Sequence, residues 1–216
     1  MKKVAVVLSG CGNMDGAEVT ESVSTFIALS QLNAQYEVFA PDIEFDALDF
    51  RTRTPIGKRS VLIESARLAR GKIKDLSALK VNDFDALVFP GGFGVATNLC
   101  SFSRDGAKAH VQPQVRRVIE EFHACEKPIA AICIAPVLLG LVLGKKGVTL
   151  TLGRIGQEAE EIKKLGAQVE ECGVSDFVSD REHRVVSTPA YMISSAKPHE
   201  IYLGVSRSLK ELVEMA

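Results

Sequence analysis

Five short stretches of nearly unbroken apolar sequence, at residues 4–8, 36–39, 86–89, 129–132 and 148–152, alternate with segments of helical periodicity. A strand that is apolar on both faces must be covered on both faces, and strands alternating with helices meet that demand as a parallel sheet between two helical layers. The helical patterns fall at about 17–32, 114–125, 135–143 and 157–165, and an amphipathic helix at about 199–215 closes the chain. Two stretches break the rhythm. Residues 43–77, with "RTRTPIGKRSVLIESARLARGKI", read as a hairpin-like insertion plus a short helix; residues 170–187 read as strand, turn ("SDREHR") and strand at the sheet edge. The chain of 216 residues has no internal repeat, low-complexity tract or Gly/Ser-rich linker, so a single domain over 1–216 is the simplest reading.

The balance of 26 Lys and Arg against 27 Asp and Glu gives a net charge of −1 and no reason to expect nucleic acid or an anionic membrane as partner. No apolar run is long enough to span a bilayer. Met1-Lys2-Lys3 leads straight into "VAVVLSG" and then a polar loop rather than a small-residue cleavage site, which predicts an unprocessed, cytoplasmic protein. Five cysteines, an odd number without a C-x-x-C pair or neighbouring histidines, predict reduced thiols, no disulfide framework and no metal site.

The chemistry concentrates at three loops, 9–16, 90–95 and the turn at Cys133, which all follow strands and therefore lie where open parallel sheets bind ligands. In "EKPIAAICIAPVLLG" an apolar strand, a one-residue turn at Cys133 and a helix follow one another, the layout of a nucleophile elbow. Helix N–H groups aimed at the sulfur predict a lowered thiol pKa and a reactive thiolate. In "DALVFPGGFG" the adjacent Gly91 and Gly92 let backbone approach a ligand, and the N–H groups of Gly92 and Ile134 suit an oxyanion, although a strand followed by Pro-Gly-Gly is also an ordinary tight turn. "SGCGNMDGAEVTES" fails the dinucleotide pattern G-x-G-x-x-G by one position, and no cofactor is expected. Glu18 and Glu21, three residues apart, face one edge of the first helix; either could reach Cys133, and either would also favour a helix N-terminus. Cys11 and Cys100 read as small residues in tight loops, Cys125 and Cys172 as structural, and Arg104, Lys108 and His110 as a solvated face. None of the four histidines occupies a position that argues for a base.

Together "VVLSGCGNMDGAE", "VLIESARLARGKI", "DALVFPGGFGVATNL", "KPIAAICIAP" and "VVSTPAYM" resemble the class I glutamine amidotransferase-like superfamily that includes PfpI-type proteases and the parkinsonism-associated deglycase. Within it they resemble the "enhancing lycopene biosynthesis" isoprenoid-pathway family and its vertebrate mitochondrial relatives. The resemblance covers nearly the whole chain. It implies an α/β, flavodoxin-like three-layer sandwich with a mostly parallel sheet, Cys133 as nucleophile, a first-helix glutamate (Glu21, with Glu18 second) hydrogen-bonded to its sulfur, and a homodimer. Many relatives place His directly after the nucleophile or use a later His-x-Glu pair; here Ile134 follows Cys133 and the segment near Thr188-Pro189-Ala190-Tyr191 carries neither.

Amide hydrolysis needs a base for water and an acid for the leaving amine, so peptidase or glutaminase chemistry is disfavoured. One thiolate and one carboxyl suffice for a cofactor-independent glyoxalase-type conversion of small 2-oxoaldehydes to 2-hydroxy acids, with a small carbonyl compound as substrate. The alternatives are a non-catalytic redox sensor using the same cysteine and, more weakly, a glutaminase that needs a partner.

Overall fold

In the computed structural model, which describes residues 1–216, an apolar strand, β1 (Lys3–Val7), lies near the middle of a seven-stranded sheet. The chain continues through α1 (Val19–Gln31), β2 (Gln35–Ala40), the hairpin β3 (Glu44–Asp49) and β4 (Thr54–Ser60), α2 (Val61–Leu68) and β5 (Ile73–Asp75). It then forms β6 (Ala86–Phe89), the short α3 (Phe102–Asp105), α4 (Pro113–Ala124), β7 (Ile129–Ile132) and α5 (Pro136–Leu143). The last part comprises β8 (Thr149–Leu150), α6 (Gln157–Lys163), β9 (Gln168–Val169), β10 (Val178–Asp180), β11 (Val185–Thr188) and α7 (Pro198–Met215).

The sheet order is β10-β11-β7-β6-β1-β2-β5; every pair is parallel except β10 with β11, which makes β10 an antiparallel edge. From β1 the chain winds outward through β2 to β5, and from β6 it winds the other way through β7 to β11. Right-handed crossovers then put α1 and α4 on opposite faces and leave a topological switch point between β1 and β6. α1 packs against α7 on one face, and α4 packs against α5 on the other. β1, β6, β7 and β11 are buried almost throughout, which is why β1, β6 and β7 read as unbroken apolar runs.

Helix starts follow their local chemistry. The Ser60 hydroxyl accepts the Ile63 N–H at the start of α2 (3.3 Å), Gln112 Oε1 accepts the Val115 N–H before α4 (2.9 Å), and proline opens α4, α5 and α7. The expected hairpin and short helix of the 43–77 insertion are present, and β5 within it adds a strand to the main sheet. Phe45 and Ala47 on the inner face of the hairpin form a small separate core with Ala40 and Val61. The insertion is tied to the loop after β1: Asp15 Oδ2 accepts the Leu48 N–H at 2.7 Å, and the Phe50 ring fills the space beside Gly12.

One strand departs from expectation. Residues 148–152 are not part of the main sheet; β8 pairs with β9 in a separate two-stranded ribbon. The physical reason lies in side chains. Thr149 N–H donates to Asp180 Oδ2 at 2.7 Å and Thr151 N–H to Ser187 Oγ at 2.9 Å, so side chains of β10 and β11 take up the donors that a backbone ladder would have used. Thr151 and Ser187 are fully buried. Ser187→Ala leaves the Thr151 N–H without an acceptor and is expected to cost about 1–3 kcal/mol, measured as a lower urea midpoint at unchanged m-value.

Candidate active site

Cys133 is the first of three turn residues between β7 and α5, not a one-residue turn as expected, and has φ of 61°. A non-glycine residue held there costs about 1–3 kcal/mol and persists only under constraint from its surroundings. The constraints are hydrogen bonds at both ends of the turn: Cys133 N–H donates to Thr188 O of β11 and Ala135 N–H to Ile132 O, each at 2.9 Å. The elbow expected from the sequence is present, and Pro136 at the first position of α5 fixes the exit of the chain.

The three loops meet. Phe93 N–H donates to Asn13 O (2.7 Å), Gly94 N–H to Gly16 O (3.0 Å) and Glu18 N–H to Gly91 O (2.9 Å). A Cβ on Gly91 would sit 2.4 Å from Cys133 Cβ, 2.5 Å from Glu21 Oε2 and 2.7 Å from Ile132 O, so only glycine lets these groups converge. Gly92 has φ of 101° and its missing Cβ makes room for Gly16 O. The N–H groups of Gly92 and Ile134 lie beside the Cys133 sulfur and favour its charged form.

The two glutamates separate cleanly. Glu18 is the cap of α1 rather than a helical residue: its Oε2 accepts the Glu21 N–H at 2.7 Å and its side chain stays half-buried. Glu21, one turn on, is fully buried beside Cys133. Its Oε1 accepts the Tyr191 N–H at 3.3 Å, while Oε2 has no conventional partner and faces the crowded space around Gly91. Burial, and then the nearby Glu18 carboxylate, push Glu21 up to about 8, so it holds its proton at neutral pH. Burial and the adjacent Glu21 also push the Cys133 thiol well above its ordinary range, against the pull of the Gly92 and Ile134 N–H groups. The expectation of a resting thiolate is therefore corrected: with Cys133 only 8% exposed and an acid beside it, desolvation outweighs the helix N-terminus.

Above the sulfur lies a cavity of about 490 Å³, lined by Asn13, Glu18, Phe93, Glu158, Tyr191 and Met192 around Cys133. Asn13, Phe93 and Met192 belong to segments that the sequence does single out, but nothing in their pattern distinguishes a lining residue from its neighbours. Glu158 looked like one more acidic residue of a helix.

The remaining candidates lie elsewhere. Cys100 is buried and pushed up to about 12, Cys125 is an exposed helix cap rather than a structural core residue, and Cys172 is pushed up to about 11 by burial and neighbouring carboxylates. Arg104, Lys108 and His110 are exposed. His123 and His183 stack on each other with centroids 6.4 Å apart, and no histidine lines the cavity. All five cysteines are free, and no helix is long and apolar enough to cross a membrane.

The raised Glu21 pKa has a stability signature. The native carboxyl binds its proton up to about pH 8, whereas the unfolded one releases it near its ordinary 4.5. The native state therefore loses stability as pH rises between those values, by on the order of 3–5 kcal/mol. Glu21→Gln removes this loss: its melting temperature is expected to match the parent near pH 4.5 and to exceed it increasingly toward pH 8, read by calorimetry across that range.

A profile of the DJ-1/PfpI family matches residues 13–204. The chain is 41% identical over 225 residues to the ES1 protein homolog, mitochondrial, of Rattus norvegicus, covering 99% of this chain and 84% of that one. It is 41% identical over 225 residues to the glutamine amidotransferase-like class 1 domain-containing protein 3, mitochondrial, of Homo sapiens, covering 99% and 83%. The names of these relatives place them in mitochondria and lend no support to the cytoplasmic expectation. The crystal structure of an isoprenoid biosynthesis protein with amidotransferase-like domain from Ehrlichia chaffeensis superposes with a TM-score of 0.92 at 32% identity, covering 100% of this chain and 99% of that one. Drosophila melanogaster DJ-1beta shares the fold at 17% identity and a TM-score of 0.57, covering 100% and 95%. With its elbow cysteine, its mostly parallel sheet and these relatives, the chain belongs to the DJ-1/PfpI family and has its class I glutamine amidotransferase-like fold.

Proposed function

We propose that the protein is a cofactor-independent glyoxalase-type enzyme that converts small 2-oxoaldehydes such as glyoxal and methylglyoxal to 2-hydroxy acids. The observation that carries this reading is the fully buried Glu21 carboxyl in contact with Cys133, beside two N–H groups aimed at the same sulfur. A thiol and a carboxyl side by side, both raised in pKa by burial, can pass a proton directly between them.

The reactive form of the pair holds one proton. Glu21 takes it from the thiol; the sulfur adds to the aldehyde carbon, and the oxygen takes the charge within reach of the Gly92 and Ile134 N–H groups. The Glu21 proton then passes to that oxygen and gives a hemithioacetal. The freed carboxylate removes the hydrogen on the former aldehyde carbon to give an enediol and returns it to the neighbouring carbon, while the hydroxyl proton moves from the first oxygen to the second, leaving a 2-hydroxy thioester. Water hydrolyses the thioester, releases the 2-hydroxy acid and restores the thiol. Across the cycle one water is added, and no net oxidation or reduction occurs.

The same facts weigh against the alternatives. A thiol pushed up in pKa is a poor peroxide sensor, since oxidation proceeds through the thiolate. A cavity without a histidine lacks the base that amide hydrolysis uses. The proposal includes a homodimer, which sedimentation velocity tests.

Cys133→Ser is expected to abolish methylglyoxal turnover, and Glu21→Gln to lower kcat by at least about 10³ with KM little changed, because Glu21 acts in both proton transfers. Retained turnover in Cys133→Ser, measured as lactate formed, ends the proposal. Because the pair must shed one proton, kcat/KM is expected to rise about tenfold per pH unit below the Glu21 pKa of about 8 and then level off.

A further inference from the structure

The charge lining the Cys133 cavity is of one sign. Glu18 enters from the cap of α1 and Glu158 from the first turn of α6, and no Lys, Arg or His lines the space. Two sheltered acids elsewhere are paired with cations: Glu64 with Arg67 at 3.0 Å and Arg59 at 3.6 Å, and Glu211 with Arg181 at 2.9 Å. Neither Glu18 nor Glu158 has such a partner. Glu158 also has no hydrogen-bond obligation, since α6 begins at Gly156 without a side-chain cap. Outside the cavity's lining, the fully buried Glu21 Oε2 is unpartnered and faces the crowded space beside Cys133. It is neutral at pH 7 and does not add to the field.

Unpaired carboxylates around a concave, partly dry site favour cations and repel anions, because field lines concentrate in the low-dielectric walls. We infer that the Cys133 cavity selects ligands bearing a positive charge, with Glu158 as the residue that sets this selectivity. Resting on the carbonyl reading above, the substrate class becomes a 2-oxoaldehyde carrying an ammonium or other cationic group, and carboxylate-bearing carbonyl compounds are rejected. Glu158 is not among the groups that act on Cys133 or Glu21, so its part is in choosing the substrate and not in the proton transfers.

The test reads charge selection at Cys133 itself, apart from turnover. The full-length protein, with its other four cysteines changed to serine, is modified with a cationic trimethylammonium-ethyl and an anionic sulfonato-ethyl methanethiosulfonate, each rate being divided by that of a small free thiol. The expected result is a normalised preference of about tenfold for the cation, shrinking in high salt as the Debye length falls. Glu158→Gln is expected to cut that preference at least threefold at unchanged melting temperature, and Glu158→Lys to cut it further. Equal normalised rates, a preference for the anion, or a ratio unmoved by either Glu158 variant overturns the inference. In turnover, phenylglyoxal with a para-trimethylammonium group is expected to show at least tenfold higher kcat/KM than its para-carboxylate counterpart. Charge selection by the thiosulfonates with no turnover of any 2-oxoaldehyde overturns the carbonyl reading and leaves the cavity's selectivity standing.

Discussion

The fold depends on a close approach that one missing methyl group permits. At Gly91 the ends of β6 and β7 and the side of α1 come within the space that any Cβ would fill, and Cys133, Glu21 and Ile132 O all border it. Close packing of this kind is intolerant of even one added carbon. The strained Cys133 backbone, the buried acid and the two N–H groups at the sulfur are all held in register by that contact. The parallel ladder of β6, β7 and β11 supplies the stiffness, since the Cys133 N–H is bonded to β11.

Much of this was legible in the chain. Strands buried on both faces leave an unbroken apolar signature, which is why β1, β6 and β7 could be read from it to within a residue. The elbow and the Pro90-Gly91-Gly92 turn were legible because backbone strain and close approach restrict residue type. β8 was misleading: its apolar run is buried as expected, but Asp180 and Ser187 intercept its backbone donors, and a side-chain interception has no periodicity to betray it. The choice between Glu18 and Glu21 was equally hidden, because it turns on whether α1 begins before or after residue 18.

The protonation state of Cys133 shows a further limit of reading residue order. A helix N-terminus beside a thiol can be anticipated from strand-turn-helix spacing, but the depth of the pair cannot. Complete burial of Glu21 and near-complete burial of Cys133 decide the outcome, and both come from helices and loops distant in sequence, including Tyr191. The arginine-rich insertion, for its part, supports the site from outside. It clamps the loop after β1 through Asp15 and Phe50 and contributes no lining residue.

The ribbon of β8 and β9 is fastened to the main sheet by side chains, and α6 with Glu158 is carried between its two strands. Cys133, by contrast, is built into the backbone ladder. The cavity wall that carries Glu158 and the scaffold that carries Cys133 are thus joined by a seam of side-chain hydrogen bonds, so substitutions at Asp180 or Ser187 reach the wall before they reach the elbow.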